Sequence, residues 1–106
     1  MKRWQLYFKF DHLPPHLRAI SEPFAKAARS IVEWDRDDTV LDPVVDDLNS
    51  CRRVAERGAR DDRQVMWSVL ALGEADRRWF NEPRIALEWL LFAKDCAVRA
   101  HLPDPT

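Results

Sequence analysis

The chain of 106 residues is poor in glycine and cysteine, with only Gly58 and Gly73 of the first and Cys51 and Cys96 of the second. So little glycine suits helices joined by short turns. The seven prolines fall at a few segment edges and at the tail, which agrees with that reading. Both cysteines sit inside apolar helical patterns, without CxxC spacing or a loop framework. They read as buried free thiols, not as disulfide or metal partners.

A net basic charge is also missing. Seventeen Lys and Arg face eighteen Asp and Glu, so the whole-domain excess that marks a duplex-binding protein is absent. The opening MKRWQLYFKFDH lacks the unbroken apolar stretch of a signal peptide, and no run reaches the roughly 20 residues that span a bilayer. The expectation is a protein without membrane contact, in the cytosol.

Catalytic motifs are lacking too. Ser21, Ser30, Ser50 and Ser68 have neither a glycine elbow nor an evident His and Asp partner. His12 and His16 have the four-residue spacing of two ligands on one helical face, but Pro14 and Pro15 lie between them and no HExxH glutamate accompanies them. The acidic turn Asp35, Asp37 and Asp38 lacks the glycine and closing glutamate of a calcium loop. No metal, cofactor or enzymatic activity is expected.

What remains is a helical pattern rich in tryptophan. Apolar residues make up 46% of the chain, and five tryptophans offer large burial, enough for one core and one domain over 1–106. WQLYFKFDH alternates and reads as a short aromatic arm. Leu17, Ile20, Phe24, Ala28 and Ile31 then recur at steps of three and four, as on one helical stripe ending near Trp34. Pro23 is expected to interrupt or kink this helix, with Ser21 capping a second start. Asp42 and Pro43 open a helix over 43–57 that Gly58 stops. Asp61 or Asp62 caps a third, over 62–80, in which Gly73 marks close packing or a weak point. Asn81, Glu82 and Pro83 begin a last helix whose apolar surface is wide enough to be buried on two sides, inside a bundle or between protomers. The fold class is therefore all-α, a small bundle of about four helices with a short arm.

Cations stand beside the aromatic residues. Lys26 lies off the apolar stripe of the first helix, while Lys94 interrupts the last helix ahead of Arg99. Rings next to cations are what stacking on a base and neutralising phosphate require.

Two blocks, YFKFDHLPPHLRAISEPFAKAA and LEWLLFAKDCAVRAHL, resemble the phage anti-CBASS sponge family, whose members sequester the cyclic oligonucleotide messengers of bacterial immunity. They cover about a third of the chain. The resemblance implies a bacteriophage immune-evasion protein in the host cytosol. It also implies small helical protomers assembled into homo-oligomers, commonly hexamers, with cyclic dinucleotides held between chains and cyclic trinucleotides at a separate site. In that family a ring ahead of the first helix stacks on a base and a lysine within the helix meets phosphate. The matching positions are Phe10, with Tyr7 sharing the task, and Lys26; His12 belongs to the same arm, and Lys94 and Arg99 to the closing helix. Family members join the blocks by a short turn, so 1–34 and 85–106 are the family-like parts and 35–84 is an insertion with two helices. Two readings stand beside this one: a helical module docking its Trp-rich surface on a host or phage protein, and a helix-turn-helix DNA binder using Arg52, Arg53, Arg57, Arg60 and Arg63.

Overall fold

The computed structural model describes residues 13–36 and 42–102 and is all-helical there, with no strand. Four helices follow one another: α1 (Pro15–Arg36), α2 (Asp42–Glu56), α3 (Asp62–Arg78) and α4 (Pro83–Ala100). Short connections force successive helices to run antiparallel. α1 packs on α2 and α3 on α4, and the two pairs stack so that α1 also meets α4 and α2 meets α3. The aromatic arm, with Tyr7, Phe10 and His12, lies outside the described residues.

The helix ends show which local signals decided the outcome. Asp61 caps α3 as its sequence position suggests, its Oδ1 accepting from the Arg63 and Gln64 amides. Pro83 occupies the first turn of α4, where its missing N–H costs nothing, although the preceding Glu82 makes no side-chain cap. Gly58 follows α2 at φ 71°, the left-handed region where glycine is strain-free.

Pro23 does not interrupt α1, which runs unbroken for 22 residues, and Ser21 caps nothing. Proline removes the bond its amide would give to the carbonyl four residues back. That carbonyl belongs to Ala19, an exposed residue that water can serve. Leu17, Phe24, Ala28 and Ile31 on both sides of the proline are buried and keep the stripe continuous. Tertiary packing outweighs the local break.

The core is built from Phe24, Ile31, Val44, Cys51 and Leu90, all fully covered, each large apolar one worth about 1.5–3 kcal/mol. Alanines 27, 28, 71, 75, 86, 93 and 97 line the contacts between these side chains, letting the helices approach closely. Most of the wide apolar surface of α4 is spent here, inside the single chain. At one end of the bundle Trp34, Trp79 and Phe80 close the core, Trp34 stacking on Phe80 at 4.9 Å and meeting Trp79 edge-on at 5.3 Å. At the other end the α2–α3 turn docks on the end of α4: the Arg60 amide donates to the Ala100 carbonyl at 2.7 Å. The His101 ring adds to this lock, lying 2.8 Å from the Ala97 carbonyl and 2.9 Å from that of Arg57.

Two positions are spent poorly. Gly73 is exposed inside α3, and a Cβ there would meet nothing within 4 Å, so it serves no close packing. Gly73→Ala should stabilise the protein by about 0.5–1 kcal/mol, read as a higher urea midpoint at unchanged slope. Ser21 Oγ is fully buried without a hydrogen-bond partner. Ser21→Ala should raise stability by about 1 kcal/mol in the same titration, since it removes an unpaired buried hydroxyl; a lower midpoint would mean that the hydroxyl is served after all.

Candidate functional site

Lys26 occupies the flank of α1 that faces α2. Its side chain keeps 68% of its surface, and Nζ stands 3.8 Å from Oδ1 of Asp47 on α2. Asp47 is the unusual member, a carboxylate only 9% exposed whose other oxygen accepts from Ser30 Oγ. Ser30 therefore holds the carboxylate, and Lys26 only neutralises it from outside. At that distance, with the ammonium itself in solvent, the pair contributes about 1 kcal/mol or less. The ammonium can swing to another anion at small cost, but Asp47 reduces the positive potential such an anion meets.

Lys94 is placed differently. Its side chain is 14% exposed and Nζ lies 3.0 Å from Asp95 Oδ1, so this lysine is largely covered where Lys26 projects. Arg99 is exposed in the last turn of α4. Of the six candidate ligand residues, the fold thus describes three: Lys26 tied towards α2, Lys94 beside Asp95 on α4, and Arg99 at the α4 terminus.

The fold adds a group that linear reading did not assemble. Docking of the α2–α3 turn on Ala100 brings exposed Arg57 and Arg60 beside the last turn of α4, the turn that carries Arg99. The start of α1, and so the root of the arm at Leu13, belongs to the same end of the bundle. Exposed Asp61 and Asp62 are interleaved with these arginines, so the end is mixed in charge. The signal was present in the sequence as five arginines between 52 and 63, but Arg52 pairs with Glu56 at 3.1 Å and Arg53 donates to Ser50 Oγ at 3.0 Å. Only the part nearest the turn remains to meet another molecule.

The serines weighed as nucleophiles have structural employment: Ser30 on Asp47, Ser50 on the Asp46 carbonyl at 3.1 Å and Ser68 on the Ala93 carbonyl at 2.8 Å, with Ser21 sealed in the core. His16 is exposed in the first turn of α1, while His12 lies outside the described residues. Among the described residues no three His, Cys, Asp or Glu side chains gather as metal ligands, and no helix is long and apolar enough to cross a membrane. An open hollow of about 440 Å³ lies at the far end, lined by Asp35, Glu82, Pro83, Arg84 and Ile85. Lys26, Lys94 and Arg99 do not line it, and its two carboxylates disfavour a phosphate.

Neither a family model, nor a curated protein, nor a solved structure matches the chain.

Cys51 sits against Asp47 on α2. Burial first, and the neighbouring carboxylate second, hold its thiol well above the ordinary value of 9.0, and burial likewise raises Cys96. Both should resist thiol reagents in the native state and react only on unfolding. The unfolded chain ionises the Cys51 thiol near pH 9 whereas the folded chain keeps it protonated. Its contribution to stability is complete below that pH and declines as pH rises beyond it. A urea titration series from pH 8 to 10 should show this decline, reduced in Cys51→Ala; an equal decline in both would assign it elsewhere.

Proposed function

We propose that the protein captures a cyclic oligonucleotide messenger and holds it unchanged, as a stoichiometric sponge acting against a nucleotide-signalled bacterial defence. The observation that supports this most is the direct packing of α1 on α4. These two helices carry the blocks resembling the anti-CBASS sponge family, and they remain neighbours although about fifty residues separate them in sequence. The inserted α2 and α3 lie beside this pair without parting it.

Capture of this kind asks for positioned rings and cations but no reacting group. A cyclic dinucleotide carries two phosphodiester charges, which are met by ammonium or guanidinium donors in charge-assisted bonds. Its bases stack on aromatic faces, a contribution of about 1–3 kcal/mol each. Lys26 supplies an exposed ammonium, Arg99 a guanidinium at the end where the arm joins α1, and Phe10 and Tyr7 the rings. His12 accompanies them on the arm, and Lys94 steadies the α4 side. Assembly of several chains completes the pocket, because a ligand with near-twofold symmetry is matched by the same residues from two protomers.

Calorimetry against cyclic di- and trinucleotides tests the reading, with chromatography of what the heat-denatured complex releases. Tight binding and return of the intact nucleotide are expected. Lys26→Ala should weaken capture about tenfold or more, with little change in thermal stability, because a charged hydrogen bond is lost from an exposed site. Asp47→Asn should act in the opposite direction and tighten capture a few fold, since it removes a negative charge beside Lys26. A linearised product, absence of heat with every cyclic nucleotide, or unchanged affinity in Lys26→Ala would contradict the assignment.

A further inference from the structure

The face of the α3–α4 pair turned away from α1 and α2 has no partner among the described residues. Ser68 Oγ bonds the Ala93 carbonyl at 2.8 Å, which fixes the level of the two helices. Trp67 and Phe92 each precede one of those residues. On antiparallel helices a step of one residue backwards turns both side chains to the same outer face. Ile85 and Trp89 lie on that face along α4, with Arg78 of α3 over the Trp89 ring at 5.8 Å and Phe92 edge-on to it at 6.4 Å. Leu70 borders it on α3.

Trp67, Leu70, Ile85 and Phe92 remain between 40% and 55% exposed. Large apolar side chains of this kind leave roughly 400 Å² of apolar surface on one face, at the size where patches on monomers mark an interaction site. Two such faces bury on the order of 800 Å² from these side chains alone. With Trp89 and the charged rim the total reaches the roughly 1,000 Å² that a specific interface needs.

The charges on the rim say what fits. Arg63 and Arg99 border the face at the end where α3 begins and α4 finishes. Glu88 and Glu74 border it about as far on the other side of Trp67 and Phe92, Glu74 already holding Arg77 and Arg78. Arg63, Arg99 and Glu88 enter none of the ion pairs among the described residues. A basic end and an acidic end placed symmetrically about an apolar centre complement an inverted copy of themselves.

We infer that this face is a homodimer interface, in which a second copy of the chain packs its α3 and α4 antiparallel on the first about a two-fold axis near Trp67 and Phe92. The axis sets Arg99 of one chain opposite Glu88 of its partner and Arg63 opposite the Glu74 end of the partner's α3, and the two tryptophans and Phe92 of each chain lose their contact with water. The interface is isologous, and it uses α3, a helix of the insertion. It does not depend on which ligand the protein holds.

Sedimentation equilibrium of the full chain without nucleotide tests it. The expected mass is twice the 12.5 kDa of one chain at micromolar concentration. Phe92→Glu, a change at an exposed helix position, should yield a folded monomer by circular dichroism. Arg99→Glu and Glu88→Arg should each weaken association on the order of tenfold, because every dimer loses two rim pairs. The double variant should restore it. A wild-type monomer up to about 100 μM, a Phe92→Glu variant that still dimerises, or a double variant no better than either single one would overturn the inference. The outcome separates from that of nucleotide capture: a dimer that takes up no nucleotide leaves the interface standing, and a monomer that captures nucleotide removes it.

Discussion

The carboxylate of Asp47 is the constraint around which the molecule is arranged. A group of that polarity is costly to cover unless its oxygens are served, and burying it ties α2 to α1 at one register. Ser30 supplies the hydroxyl, Lys26 lends an outside positive charge, and Val44, Leu48 and Cys51 on the same helix then fall into the core. Register, core and the electrostatics of Lys26 are thus settled at one point. The function proposed for Lys26 depends on this residue directly, since Asp47 decides how much positive potential an arriving phosphate meets.

A second consequence concerns surfaces. α4 is apolar around most of its circumference, and the bundle consumes nearly all of that by packing α4 against both α1 and α3. What survives is a strip at Ile85 and Phe92, and it becomes substantial only because α3 adds Trp67 and Leu70 beside it. The two middle helices therefore do more than fill space: α2 brings the carboxylate to Lys26, and α3 completes an outer apolar face.

Much of the fold is legible in the sequence because helix starts are local chemistry. Asp61 is recognisable as a cap and Pro83 as a first-turn residue, since each acts through backbone groups within one turn. Pro23 misleads for the same reason: its local penalty is real, but the burial of Leu17, Phe24 and Ile31 around it is tertiary and larger. Gly73 reads equally well as a packing contact or a weak point until its surroundings show open space. The candidate site is legible only in part. Lys26 stands out as a cation off an apolar stripe, yet its partner lies 21 residues away, and no pattern along the chain announces a buried aspartate that answers a serine on another helix. Lys94 and Arg99 look alike in sequence as cations of the last helix, and only packing makes one covered and the other exposed.

The measurement closest to the centre of this account follows the side chains of Lys26 and Asp47 by nuclear magnetic resonance while a cyclic dinucleotide is added to labelled protein. If capture draws Lys26 from the carboxylate to a phosphate, the Lys26 ammonium and the Asp47 carboxylate signals shift together, with one saturation point at a fixed ratio of ligand to chain. Signals of both groups that stay in place while the nucleotide binds elsewhere, or does not bind, would contradict it.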